Sequence, residues 1–137
     1  MPFVLDASVA LSWCFEDEPT SETEAILDRF DSDHALVPTV WGLEVANALL
    51  TAERHQRLQV AEATHFSALL LELSISVVPM DLGHTFGAVL GLARTHGLTS
   101  YDASYIALAM REGVPLATQD RGLRRVAKQL GVLLLPE

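Results

Sequence analysis

Apolar residues come along this chain in two alternating rhythms. Short unbroken runs sit at Phe3-Val4-Leu5, at Ala35-Leu36-Val37 before Pro38, and at Ile75 to Val78. Two more are Pro115-Leu116-Ala117-Thr118 and Val132-Leu133-Leu134-Leu135. Runs this short and this apolar predict strands, and Phe3-Val4-Leu5 suits a buried one. Between them the apolar residues recur at helical spacing. A short helix is expected from Ala7, and an acidic one over Ser21 to Phe30, where Ala25, Ile26 and Phe30 share a face. Further helices are expected over Thr39 to about Gln56, Val60 to Leu73, Gly83 to Thr95 and Tyr101 to Glu112, with an amphipathic one ending at Leu130 before Gly131. Strands separated by helices predict an α/β fold: a central parallel sheet with helices on both faces. In such sheets ligands bind at the carboxyl ends of the strands.

Composition narrows the classes. The chain has 137 residues, 50% of them hydrophobic and 20% charged, with a formal net charge of −9 and a mean hydropathy of +0.27. A disordered chain would need low hydrophobicity beside its charge, so that class is excluded. The length suits a single domain over residues 1–137, since domains run to about 100–200 residues. The longest stretch free of charge is Leu82 to Ala93, short of the ~20 apolar residues that a membrane span needs. The first Arg is Arg29, so no basic region opens a secretory signal. Cys14 stands alone and has no internal disulfide partner, which suits a reducing cytoplasm. The acidic balance argues against a general nucleic-acid binder, which is usually basic, while leaving open an enzyme that handles nucleic acid at one site.

Four carboxylates carry the candidate chemistry. Asp6 and Asp120 each lie just past a predicted strand, where both reach one crevice; the plainer reading is that each caps the next helix. Asp102 follows Thr99-Ser100-Tyr101, a capping-box pattern, yet shares a helical stripe with the apolar Tyr105, Ile106 and Ala109. Glu44 is the only charged residue from Thr39 to Ala52, and a lone buried carboxylate is costly unless paired, protonated or bound to a cation. Asn47 lies nearly a turn further along the same face. Oxygen-only ligands favour hard cations such as Mg²⁺ or Mn²⁺. Zinc is disfavoured because His34, His55, His65, His84 and His96 are scattered. No glycine-rich phosphate loop occurs, and Ser8 lacks a nucleophile-elbow setting.

Set in order, these residues resemble the PIN-domain nucleases, and most closely the VapC-type toxin ribonucleases of type II toxin–antitoxin pairs. Val4-Leu5-Asp6-Ala7-Ser8 is similar to the family's first-strand motif, and Glu44-Val45-Ala46-Asn47-Ala48-Leu49 to its helical E-x-x-N-x-L segment. Tyr101 to Ala109 is similar to the third motif, and Pro115 to Asp120 with Leu123 to the fourth. Each motif alone is common; the ordered set is specific. The resemblance implies a PIN-like three-layer fold around four or five parallel strands. It also implies Mg²⁺- or Mn²⁺-dependent cleavage of RNA at a pocket of Asp6, Glu44, Asp102 and Asp120. Asp6 and Asp102 would be the principal metal ligands, with Glu44 and Asp120 as ligands or water-positioning groups. Ser8, Asn47 and Thr118 would support the carboxylates. A homodimer and a cognate VapB-type antitoxin are implied as well.

Arg121, Arg124, Arg125 and Lys128 fall on one face of the last helix, opposite Leu123, Val126, Ala127 and Leu130. The cluster starts beside Asp120, so Arg121, Arg124 and Arg125 are candidate RNA contacts, against the plain reading of a solvated face. The helices from Thr39 to Leu73 carry an apolar surplus, including Trp41, Leu49, Leu50, Phe66, Leu69, Leu70 and Leu71, and such surplus marks interfaces. Trp13 and Phe15 suit either a partner groove or the core. Two other classes remain: a catalytically silent PIN-like binding module, and a haloacid-dehalogenase-type phosphatase. The latter needs a second Asp where Ser8 stands.

Overall fold

The computed structural model of the chain describes residues 1–15 and 18–136. Glu16, Asp17 and Glu137 lie outside the described residues. Five strands form one sheet: β1 (Phe3–Leu5), β2 (Ala35–Pro38), β3 (Ile75–Val78), β4 (Leu116–Ala117) and β5 (Leu134–Leu135). Their order across the sheet is β3-β2-β1-β4-β5, and every pairing is parallel. Val4 is opposite Leu36 on one side and Leu116 on the other, which makes β1 the centre. Successive residues of a strand point to opposite faces, and Phe3, Val4 and Leu5 are all fully buried. Both faces of the sheet are therefore covered, as uninterrupted apolar strands require.

Eight α-helical segments connect and cover the strands among the described residues: α1 (Ala7–Ser12), α2 (Ser21–Asp28), α3 (Val40–Arg54), α4 (Val60–Glu72), α5 (Leu82–His84), α6 (Leu90–His96), α7 (Ser100–Glu112) and α8 (Arg121–Gln129). Helix α7 lies against β1, β2 and β4. It buries Ala103 and Tyr105 through Ala109, the stripe read from its spacing. Its start is capped by the Thr99 side chain, and it stops at Gly113 with φ +66°, a left-handed turn that glycine adopts without strain. None of the described helices is long and apolar enough to cross a membrane.

The predicted single helix over Gly83 to Thr95 is the main departure. The chain there makes one α turn, widens into a π-helical stretch at Thr85–Val89, and resumes α geometry at Leu90. Asp81 caps the first turn through His84 N–H at 2.7 Å, while the Thr85 hydroxyl donates to Asp81 O at 3.0 Å. Gly83, Gly87 and Gly91 recur every fourth residue, and glycine is a weak helix former. The periodicity marks the face; it does not register the local widening.

The apolar surplus divides. Trp41, Leu49, Phe66 and Leu70 are core residues, while Leu50, Leu69 and Leu71 are exposed, Leu71 at 87%. Phe15 is buried with the Arg57 guanidinium over its ring, and the Trp13 indole donates to Thr23 O at 2.9 Å beside Phe30. Both aromatics are thus tied into the fold.

Candidate functional site

The strand order reverses at β1. From β1 the chain builds outward to β2 and β3, and later to β4 and β5 on the other side. A crevice forms where neighbouring connections diverge, outside the carboxyl ends of such strands. Asp6 directly follows β1, and Thr118 directly follows β4. The ladder between them continues through Asp6 N–H to Ala117 O at 3.0 Å.

Asp6 is 6% exposed. Its Oδ2 accepts two hydroxyls, Ser8 Oγ at 2.8 Å and Thr118 Oγ1 at 2.7 Å. Thr118, fully buried, in turn accepts the Asp120 N–H at 3.0 Å, and Ser8 Oγ accepts the Gln119 N–H at 3.4 Å. The turn after β4 is thereby laced to the end of β1. Asp6 stands at the cap position of α1 but makes no side-chain cap hydrogen bond, so the helix-cap reading does not account for its carboxylate. Asp120 does cap α8, accepting Leu123 N–H at 2.9 Å through Oδ1.

Helices α3 and α7 bring the other two acids. Glu44 is half-buried, and its Oε1 accepts the Tyr105 hydroxyl at 2.5 Å. Asp102 is half-buried in the first turn of α7. Its main-chain N–H donates to Thr99 Oγ1 at 3.0 Å, while its carboxylate makes no side-chain hydrogen bond among the described residues. Tyr105 was read from the sequence as one more apolar stripe residue; only its position, three residues beyond Asp102, hinted at the site. Asn47 is exposed, and no hydrogen bond among the described residues joins it to a carboxylate.

The four acids feel one another. Burial raises the proton affinity of Asp6, Thr118 and Ser8 oppose that by hydrogen bonding, and the Asp120 charge adds to it. Burial raises Glu44 as well, opposed by the Tyr105 hydroxyl and reinforced by Asp6 and Asp102. Asp102 is raised by burial, then by Asp120 and Asp6. No ion pair among the described residues involves any of the four; the recorded pairs join Met1 and Arg29 to Asp33, Arg57 to Glu18, and Arg111 to Glu112. Uncompensated carboxylates with raised proton affinity are what a cation would relieve.

The donor set suits Mg²⁺ or Mn²⁺, being all oxygen. No three His, Cys, Asp or Glu side chains among the described residues form a ready-made cage. That fits an open site, because Mg²⁺ keeps several waters and takes one or two carboxylates rather than a full protein cage. A cleft next to Ser8 is lined by Ser8, Leu11, Ala48, Thr51 and Gln119 among others, and none of the four acids lines it.

The basic residues of α8 separate in structure. Arg121, Arg125 and Lys128 are exposed. Arg124 is turned inward, donating to Thr118 O at 2.9 Å, Leu135 O at 3.2 Å and Pro136 O at 3.0 Å. It ties the ends of β4 and β5 together, a role that a count of charges on a helix face does not reveal.

Comparison with known proteins agrees with this geometry. Residues 3–129 match the PIN domain family. Ribonuclease VapC3 of Pyrobaculum aerophilum is 30% identical over 136 residues, covering 99% of this chain and 100% of that protein. A crystal structure from Pyrobaculum aerophilum superposes with a TM-score of 0.70 at 28% identity, covering 98% of this chain and 83% of that one. VapBC2 of Rickettsia felis, solved bound to a DNA fragment from its promoter, gives 0.70 at 12% identity over 98% and 97% of the two chains. VapC20 of Mycobacterium tuberculosis, described as a toxin cleaving the sarcin-ricin loop, gives 0.65 at 14% identity over 92% and 95%. The last two speak to the fold alone. With its four motifs in order on a five-stranded parallel sheet, the chain belongs to the PIN domain family and is most like its VapC-type toxin ribonucleases.

Proposed function

We propose that the chain is a Mg²⁺- or Mn²⁺-dependent endoribonuclease acting in the cytoplasm as the toxin of a VapBC-type pair. The observation that carries this reading is the buried Asp6 at the carboxyl end of β1, held by Ser8 and Thr118, with the charges of Glu44, Asp102 and Asp120 acting within the same set of acids and no described cation paired to them. Asp6 and Asp102 would hold the metal, with Glu44 and Asp120 as further ligands or as groups that position water. A metal held there supplies an activated water and neutralises charge on the scissile phosphate.

The chain's own residues do the rest. Ser8 and Thr118 fix Asp6 in one rotamer by occupying Oδ2. Arg121 and Arg125, exposed at the start of α8, are placed to meet phosphates of an RNA strand. Arg124 keeps Thr118 in place from the opposite side. With a net charge of −9, the molecule has little long-range pull on RNA, so recognition rests on local contacts and RNA shape. The exposed apolar residues of α3 and α4 support contact with a second copy or with an antitoxin.

The test is to incubate the protein with structured RNAs, and separately with p-nitrophenyl phosphate, in Mg²⁺, Mn²⁺ or EDTA. RNA cleaved in Mn²⁺ but not in EDTA, with the phosphate ester untouched, is the expected result. Cleavage that persists in EDTA overturns the metal dependence, and a lack of cleavage with every RNA and metal favours a silent binding module.

A further inference from the structure

We propose that Tyr105 is a positioning residue of the acidic site, its buried hydroxyl holding the Glu44 carboxylate in place from a helix on the other side of the crevice. The inference rests on the metal-dependent reading above and concerns an uncharged residue to which that reading gives no role.

Tyr105 is fully buried, and a phenol taken out of water must find a partner. The partner is Glu44 Oε1, at 2.5 Å and 61 residues away along the chain. A separation at the lower edge of the range for O–H···O contacts is typical of a hydroxyl bonded to a carboxylate. One hydroxyl thus joins α7 to the helix that carries Glu44. Its own helix carries Asp102 one turn earlier.

Glu44 is the longest and most flexible of the four acids. Asp6 is short and already holds two hydroxyls, and Asp120 is fixed by the start of α8. Glu44 has one more rotatable bond and sits on a helix whose neighbouring residues offer it no hydrogen-bond donor among those described. The Tyr105 bond occupies Oε1 and leaves Oε2 for a cation or a water. A satisfied core tyrosine would look the same in a static structure, so the two roles must be separated by function.

The decisive variant is Tyr105→Phe, which keeps the ring and removes only the hydroxyl, measured beside Glu44→Gln and the double variant. Binding of Mn²⁺ alone is followed by titration calorimetry, RNA cleavage is resolved into kcat and KM, and thermal melts in EDTA check the fold. Tyr105→Phe is expected to weaken Mn²⁺ binding by about 10-fold and lower kcat by about 10–100-fold, the range for groups that orient metal ligands, with KM for RNA unchanged. In the Glu44→Gln background the same change should cost nothing further. Simple destabilisation would appear in both backgrounds, so the comparison holds even if the variant melts early. Mn²⁺ affinity within twofold of wild type, or a full loss repeated on top of Glu44→Gln, overturns the proposal. If wild type itself binds no Mn²⁺, the metal reading falls first and this inference falls with it.

Discussion

At the residue scale, the acids that look alike in sequence have different duties. Asp120 spends one oxygen on capping α8, whereas Asp6 at the equivalent place before α1 caps nothing and is held by two hydroxyls instead. Thr118 is the hinge of that arrangement, donating to Asp6 while accepting from Asp120 N–H. Thr118→Val should take one of the two hydroxyls from Asp6 and leave the Asp120 N–H without its acceptor, at a cost of about 1–3 kcal/mol. Thr118→Ser, which restores the hydroxyl, should recover most of that in urea denaturation. A Thr118→Val variant as stable as wild type would mean the relay contributes nothing. Asp102 makes no side-chain hydrogen bond among the described residues and its carboxyl is raised by burial, so Asp102→Asn should not lower the metal-free melt, and should raise it at pH 8, while removing most RNA cleavage. Undiminished cleavage by purified Asp102→Asn would remove this acid from the site.

At the element scale, α8 does two jobs with one run of arginines. Arg124 holds carbonyls of Thr118, Leu135 and Pro136, joining the ends of β4 and β5, while Arg121 and Arg125 face solvent. Arg124→Gln should therefore lower stability by about 1–3 kcal/mol, since it strands partly buried carbonyls. Its effect on the salt dependence of RNA binding should be small. The pair Arg121→Gln and Arg125→Gln should do the opposite, flattening the slope of log affinity against log salt by about one unit per lost phosphate contact with the melt unchanged. Binding measured between low and moderate salt checks both, and an unaltered slope would leave the exposed arginines as a solvated face.

At the scale of the whole molecule, the acidic site should make stability depend on pH and metal together. Asp6, Glu44 and Asp102 all have carboxyls raised above their ordinary values, each first by burial. The native state therefore binds protons more tightly than the unfolded chain, and these groups favour the native state below the ordinary carboxyl range. That contribution is lost as pH rises through the raised folded values. In EDTA they should make the protein melt lower at pH 8 than at pH 5. Mn²⁺ binds the native cluster and should raise the melt, by an amount equivalent to about 2.7 kcal/mol at 100 times its dissociation constant. The gain should be larger at pH 8, because protons compete for the same oxygens at pH 5. Glu44→Gln should stabilise the metal-free protein at pH 8 by relieving repulsion, and shrink the Mn²⁺ shift. A wild-type melt at pH 8 that ignores Mn²⁺ would show that the acids do not act as one metal site.

Much of this molecule was written in its local pattern. The strand over Ile75 to Val78 follows from its β-branched residues although Ser76 and Val77 are exposed, and the stripe of α7 follows from spacing, because burial along a helix face imposes a period that the sequence must obey. Asp6 and Glu44 stood out for a similar reason: a carboxylate at the end of an apolar run, or alone on an apolar helix, needs an account. Spacing carries no distances between segments, however, and that is where the remaining decisions lay. Asp6 and Asp120 had the same local signature, and only the pairing of β1 with β4 set the hydroxyls of Ser8 and Thr118 on one and a helix start on the other. Arg124 was one charge among four until the end of β5 arrived beside it. Tyr105 was an apolar position by period. The packing of α7 against β1 and β2 turned its hydroxyl into the partner of Glu44, a contact between residues 61 positions apart that no local rule encodes.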